Sequence, residues 1–356
     1  MMRCLLVLLL ACSLPGPAAA QAMPAGVELP LDVRLAVRVL NINRIQEVQR
    51  EVSAAVEFTQ RLNDPASTSF VPGGRVVAAL PAASADLAAS RDRVGGFTST
   101  VRDKYGVRIV ADVAELLAAV DAVMVLSLDG RAHVPQMKAI VAAKKPVFLD
   151  KPVAASLKDA VSIYLQAEAA GTPLFSASAL RWNPAVTSVA NAAVANPSGA
   201  VSSGPAPKMD HHPSLFFYGI HPTEVLFTVL GSGCASVVNT ATAGASVITG
   251  KWADGRVGTL YAMHTWPAAY QVTLFGTDKV VTQSTEGGDY TPLVREIVKF
   301  FQSRTPPVTA YQTLEIYAFM EAADESARKN GRPTSLRDVL EKAGCPPKWL
   351  PAEKKT

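Results

Sequence analysis

The chain has 356 residues, 49% hydrophobic and 18% charged, with a formal net charge of +4. The length exceeds one ordinary core and predicts two domains, while a charge so small and scattered excludes a nucleic-acid partner. Cysteines without a CxxC pair and only five histidines offer no metal-ligand spacing, so no metal is expected.

Met1-Met2-Arg3 precedes the apolar run Cys4–Ala11, which is too short for a bilayer, and Ala20-Gln21-Ala22 forms a cleavage site. Residues 1–22 therefore read as a secretory signal, with the protein exported to a periplasm or outside the cell and carrying no integral membrane span. Leu9-Leu10-Ala11-Cys12 allows a second reading, a lipoprotein attached through Cys12. After export Cys234 and Cys345 remain; they either pair or stay as two buried thiols.

Residues 30–178 read as a Rossmann-like nucleotide-binding domain. Val33–Leu40 is a first strand and Ala54–Leu62 a helix. Arg75–Leu80 is a second strand, stopped by Pro81. Tyr105–Val110 is a short strand. Val113, Leu116, Leu117 and Val120 recur at i, i+3, i+4, i+7, one apolar face of a helix. Ala122–Leu126 is apolar without alternation, as buried parallel strands are. The helix Val134–Ala143 leads to the strand Val147-Phe148-Leu149. Ser156-Leu157-Lys158-Asp159 has capping-box form, and Gly171 stops the helix it opens. Pro173–Ser176 is the last strand. Strands alternating with helices at this spacing predict a doubly wound parallel sheet.

Residues 179–340 change texture and read as an α+β domain with a large, mainly antiparallel sheet. Residues 183–215 read as an irregular or loosely helical connection. Glu224–Leu230 is a helix. Strands follow at Ala235–Ala241, Ser246–Lys251, Val257–His264, Tyr270–Phe275 and Lys279–Thr282, an antiparallel meander, with Asp254-Gly255 marking a hairpin turn. Helices return at Pro292–Ser303 and Tyr311–Lys329. Residues 341–356 are a Pro- and Lys-rich tail.

The chemistry centres on Val147-Phe148-Leu149-Asp150-Lys151-Pro152. Pro152 ends the ladder because it has no N–H to give, and ligands in parallel α/β sheets sit beyond the carboxyl ends of strands. Burying a core does not call for a lysine there. Gly219-Ile220-His221-Pro222 opens a helix with an imidazole, the usual proton shuttle near neutral pH. His211-His212 is a pair of adjacent histidines that reads as solvated loop.

These segments, with Val120-Asp121-Ala122-Val123 through His133, Lys144-Lys145-Pro146, Asp254-Gly255 and Tyr290 to Phe301, resemble the Gfo/Idh/MocA family of NAD(P)-dependent sugar and polyol oxidoreductases. The resemblance runs over roughly residues 55–335. It implies that Lys151 meets the nicotinamide and polarises the substrate hydroxyl, with Asp150 holding the lysine. It implies that His221 shuttles the proton, beside the alternative of a structural histidine bonding a helix end, and that Arg181 anchors substrate hydroxyls. Tyr218 offers the substrate a hydroxyl beside His221, with a packed tyrosine the alternative role. It implies that Asp129 and His133 lie in the loop under the nicotinamide ribose. For His133 a structural role at a helix start stands beside that one. For Arg181 the alternative is a join between domains. In many relatives an aspartate stands four residues before the histidine; here that position is Phe217. The resemblance also implies a homo-oligomer through the antiparallel sheet.

One departure is plain. A dinucleotide fold needs glycines after its first strand so the backbone can approach the pyrophosphate. Leu40-Asn41-Ile42-Asn43-Arg44-Ile45 has none, and Ala79-Leu80-Pro81 supplies no acid for a ribose diol. Ser84, Ser90 and Arg91 favour a 2′-phosphate weakly. Either NAD or NADP binds differently here, or the fold persists without its cofactor. The expected function is an exported oxidoreductase passing hydride between NAD(P) and a small sugar- or polyol-like alcohol. The alternative is a cofactor-less carbohydrate-binding or scaffold protein on the same fold.

Overall fold

The computed structural model describes residues 33–39, 54–265 and 269–351. The segment read as a signal, the glycine-free stretch after the first strand and the last residues of the tail lie outside the described residues. The chain forms two compact units. Among the described residues, one comprises those up to Asp150 with Gln166–Phe175 and Tyr290–Pro307; the other comprises Lys151–Leu165, Ser176–Asp289 and those from Val308 on.

The first unit is built on β1 (Val33–Val39), α1 (Ala54–Asn63), β2 (Gly74–Ala79), α2 (Ala88–Arg91), α3 (Val94–Tyr105), β3 (Arg108–Ile109) and α4 (Val113–Ala119). It continues through β4 (Ala122–Leu126), α5 (His133–Ala142), β5 (Val147–Leu149) and β6 (Leu174–Phe175), while α6 (Leu157–Ala170) begins in the second unit and ends in the first. The sheet order is β3-β2-β1-β4-β5-β6, and every pair is parallel. All of β4 and β5 is buried, which is why neither alternates. Asp112 caps α4 by accepting from the Glu115 N–H at 2.8 Å, and Gly171 leaves α6 at φ +65°.

The expected strand at Tyr105–Val110 shrinks to β3, because Tyr105 closes α3 instead. That helix is hard to read because Gly95-Gly96 cost helix propensity. It buries Val94, Val101 and Tyr105 along one face, and this tertiary contact outweighs the local cost.

The second unit continues with α7 (Pro184–Ala190), β7 (Gly199–Pro205), α8 (Ile220–Leu230), β8 (Cys234–Ala241), β9 (Ala245–Trp252), β10 (Val257–Met263), β11 (Tyr270–Phe275) and β12 (Val280–Thr285). The chain then contributes α9 (Thr291–Ser303) to the first unit. Last come α10 (Ala310–Arg328), β13 (Thr334–Ser335) and α11 (Leu336–Lys342). The sheet order is β12-β11-β7-β10-β9-β8-β13.

The reading of residues 183–215 as an irregular or loosely helical connection holds at α7 and is corrected by β7. This strand lies between β10 and β11, parallel to the first and antiparallel to the second, so the sheet is not a plain meander. Its small residues hid it. They are needed because the neighbours close in: a Cβ at Gly199 would sit 2.0 Å from the Val257 carbonyl oxygen, and one at Gly204 2.6 Å from the Tyr270 ring. The Asp254-Gly255 turn is present, with Gly255 at φ +98°.

In the first unit, Phe58, Phe148, Phe175 and Phe300 stack through the core, with centroids 6.2, 5.1 and 4.8 Å apart in that order. Residues of α9 thus complete a core begun by α1, β5 and β6. Cys234 and Cys345 are separate buried thiols. Burial pushes both up, to about 11 for Cys345, so neither is a ready nucleophile.

Candidate active site

The Asp150 N–H still bonds the Val125 carbonyl at 2.8 Å, and the ladder stops there. The Lys151–Pro152 peptide bond is cis. Just beyond, the Val153 N–H donates to the Tyr317 hydroxyl at 2.5 Å, pinning the segment to α10. Lys151 is only 6% exposed, and its ammonium lies 4.7 Å from the centroid of the Tyr218 ring. A desolvated cation over an aromatic face is held by the ring quadrupole, at a strength of roughly 2 kcal/mol.

Tyr218 precedes α8, and the turn before it closes because of Gly219. A Cβ there would come 2.8 Å from the Leu215 backbone. His221 follows in the first turn of α8, which starts earlier than the periodicity predicted. Its ring centroid is 5.3 Å from that of Tyr218 and 5.8 Å from that of Tyr270. Burial, and then the positive charge of Lys151, hold the imidazole well below its ordinary pKa. His221 is therefore neutral at neutral pH.

Phe217 is buried, with its ring against those of His212 and Tyr218, so no carboxylate reaches His221 from that position. Ser178 stands at the ring instead: its Oγ lies 2.7 Å from His221 Nδ1. A carboxylate would only accept from Nδ1. A hydroxyl can accept or donate, so the serine supports both neutral tautomers of the ring.

Ser178 is itself fixed. Its Oγ accepts from the Leu180 N–H at 3.1 Å, and its own N–H donates to Glu224 Oε2 at 2.7 Å. Arg181 Nε donates to Glu224 Oε1 at 2.6 Å. Burial pushes the Glu224 carboxyl up, opposed by Arg181 and by the Ser178 N–H. A line of contacts therefore runs Arg181–Glu224–Ser178–His221. A cavity of about 10 Å³ is bounded by Lys151, Ser176, Glu224, Thr313 and Tyr317. It has room for roughly one water and not for a sugar.

Lys151, Tyr218, His221 and Arg181 are thus brought together in the second unit. Sequence reasoning missed Ser178, Glu224 and Tyr270. Glu224 had a signal, since i, i+3 spacing on one helix puts it on the face of His221. Ser178 had none, because its contact spans two distant segments. The histidine pair is also corrected: His211 is exposed, but His212 is buried against Phe217.

The remaining candidates lie in the first unit. Asp129 is 2% exposed and accepts from the Arg131 N–H at 3.0 Å. Burial alone would raise its pKa, but the Arg131 and Ser84 hydrogen bonds prevail and lower it to about 2. His133 is fully buried at the first residue of α5, as the structural alternative for it requires. Asp150 is half-buried, and its charge, after burial itself, pushes the Tyr290 phenol up.

For a dinucleotide the fit is partial. The loop after β2 offers no acid for a ribose diol before Asp86, whose carboxylate is bonded to Arg131 at 3.0 and 3.1 Å. Ser90 Oγ accepts from the Ser84 N–H at 3.1 Å, and Arg91 bonds Asp92 and the Ala85 carbonyl. What suits a dinucleotide here is the parallel sheet and the guanidinium of Arg131, a natural phosphate ligand. Among the described residues no group of three His, Cys, Asp or Glu side chains could hold a metal, and no helix is long and apolar enough to cross a membrane.

Residues 76–178 match the sequence profile of the Gfo/Idh/MocA oxidoreductase family, described as an NAD-binding Rossmann fold. The chain is also similar to solved structures. An oxidoreductase from Agrobacterium radiobacter in complex with NAD+, L-tartaric acid and magnesium is 18% identical, with a TM-score of 0.64 over 80% of this chain and 96% of that one. Myo-inositol dehydrogenase from Lactobacillus casei, in complex with NAD(H) and myo-inositol, is 16% identical, with a TM-score of 0.62 over 79% and 93%. Apo scyllo-inositol dehydrogenase from Lactobacillus casei is 14% identical, with a TM-score of 0.62 over 79% and 94%. At these identities the likeness shows the fold. No curated protein matches the sequence. The family resemblance, the two-part fold class and the NAD-binding type of the Rossmann region are borne out.

Proposed function

We propose, from the Gfo/Idh/MocA oxidoreductase profile of residues 76–178, that the chain transfers hydride between NAD(P) and a sugar- or polyol-like alcohol after export. One observation carries this reading: the buried Lys151 ammonium and the half-buried His221 imidazole both lie against Tyr218. A cation and a neutral base at one place are what alcohol oxidation needs. Lys151 stabilises negative charge on the substrate oxygen, and His221 Nε2 takes the hydroxyl proton. Ser178 accepts from Nδ1 in that tautomer and so leaves Nε2 open. Tyr218 supports the ammonium, and Arg181 holds Glu224, which holds Ser178. A bound nicotinamide supplies the hydride acceptor.

Neighbouring structures crystallised with tartaric acid or myo-inositol support a polyhydroxylated substrate. The test is turnover of a polyol and hydroxy-acid panel with NAD and with NADP, followed by nicotinamide absorbance. Reduction of cofactor that vanishes in Lys151→Ala is expected. No turnover, together with no nicotinamide fluorescence change up to millimolar cofactor, overturns the reading.

The cofactor-less carbohydrate-binding reading is favoured by the glycine-free stretch at 41–50 and by the tie on Asp86. It expects sugars to raise Tm without cofactor, equally in wild type and Lys151→Ala. Export rests on residues 1–22, with attachment through Cys12 the other outcome.

The sheet of the second unit supports a homo-oligomer. Val201, Val257, Tyr261 and Phe275 stand on one open face, at 36 to 45% exposure. Thr259 and Thr273 flank Val201 on the same face, giving it little charge to keep hydrated.

A further inference from the structure

In the first sheet β1 lies between β2 and β4, and all three run parallel. The loop beyond β2 carries Ser84 and Asp86; the loop beyond β4 carries Asp129 and Arg131. Two ties join these loops, which follow the strands on either side of β1. The Ser84 hydroxyl bonds the Asp129 carboxylate. Arg131 bridges both acids. On the inner side, Asp129 Oδ1 accepts from Nε at 2.9 Å and Oδ2 from Nη2 at 2.7 Å. On the outer side, Asp86 accepts from Nη1 at 3.0 Å and from Nη2 at 3.1 Å.

The carboxyl end of the first strand is where a Rossmann fold seats a dinucleotide. A strap between the loops that flank that strand would compete with a cofactor seated there. Its two halves are unequal. The Asp129 side chain is 3% exposed and the Asp86 side chain 58%. The exposed pair is weak and opens readily, while the buried one keeps the guanidinium in place.

Resting on the NAD(P)-binding part of the proposed function, we infer that Arg131 exchanges Asp86 for the pyrophosphate of the dinucleotide. Asp129 grips the Nε–Nη2 edge. Departure of Asp86 frees the Nη1–Nη2 edge, which matches two phosphate oxygens. The chain thus replaces the backbone cradle that a glycine-rich turn would supply with one pre-oriented guanidinium, masked by a detachable acid.

The test is NADH titration of the full chain by nicotinamide fluorescence, using wild type, Asp86→Asn, Arg131→Lys and Asp103→Asn. The last removes a carboxylate from an exposed pair with Arg102 on α3 and controls for net charge. Asp86→Asn is expected to bind roughly three- to fivefold more tightly, since an exposed pair no longer competes. Arg131→Lys keeps the charge but loses the fork, and is expected to bind roughly tenfold more weakly. Asp103→Asn is expected to match wild type. Binding by Asp86→Asn where wild type shows none is the extreme form of the same result. An unchanged or weaker Kd in Asp86→Asn, an equal gain in Asp103→Asn, or wild-type affinity in Arg131→Lys overturns the exchange and leaves the oxidoreductase reading standing. Absence of binding in every protein overturns both.

Discussion

At Lys151 the chain places a cation where water is scarce, and its replacement should show what that costs. Lys151→Ala is expected to lower kcat/KM by roughly 10²- to 10⁴-fold, with Lys151→Arg giving little rescue because a planar fork cannot sit where a compact ammonium does. Steady-state kinetics on the best substrate checks this. In the proposed function Ser178 acts through His221, so its test is a pH profile. Ser178→Ala should lower kcat while leaving KM near wild type. Ser178→Asp should move the acid limb for alcohol oxidation to higher pH, because a carboxylate at Nδ1 favours the imidazolium.

His221 also couples folding to pH. Its folded pKa is depressed, so between that value and about 6.5 the unfolded chain binds more protons than the folded one. Its contribution to stability is therefore complete above about pH 6.5 and lost as pH falls toward the folded value. Urea denaturation at pH 7.5 and pH 5 should show wild type losing more stability on acidification than His221→Asn. Lys151 and His221 were both legible in the sequence, each beside a proline or glycine that marks a chain turn. Ser178 was not, since nothing in Ser176-Ala177-Ser178-Ala179 announces a partner on another helix.

Among the elements, α8 carries the site and β7 shows where sequence patterning fails. Alternation or apolar run marks a strand when large side chains define its faces. In β7 the faces are defined by what the neighbours can tolerate, so the strand is written in glycine, alanine and serine. The relay from Arg181 to His221 depends on α8 through Glu224, whose side chain is 4% exposed opposite an Arg181 side chain at 14%. Removing one partner of a buried pair leaves a charge uncompensated. Glu224→Ala is expected to cost about 3 kcal/mol by urea denaturation, and Glu224→Gln less. A loss well under 1 kcal/mol would show that the pair behaves as an exposed one.

Across the whole molecule, the open sheet face and the leader make separate predictions. If a second copy covers the face, Tyr261→Glu should convert an oligomer to a monomer in light scattering while retaining the wild-type circular dichroism. If residues 1–22 are a leader cleaved on export, mass spectrometry of the protein should find Met23 at its N-terminus, or a lipid-modified Cys12 if the second reading of that segment is right.

The parallel sheet could be read from linear order alone, because uniformly apolar runs alternating with helical periods leave few ways to bury them. The Lys-Pro and Gly-Ile-His-Pro segments announced themselves as local chemistry at chain turns. Three things needed distant segments to meet: the place of β7 within its sheet, the serine beside His221, and the bridge from Asp86 to Arg131. Each is a contact between residues far apart along the chain. Which side chains such contacts select follows from packing and desolvation around them, and those quantities have no value until the chain has folded.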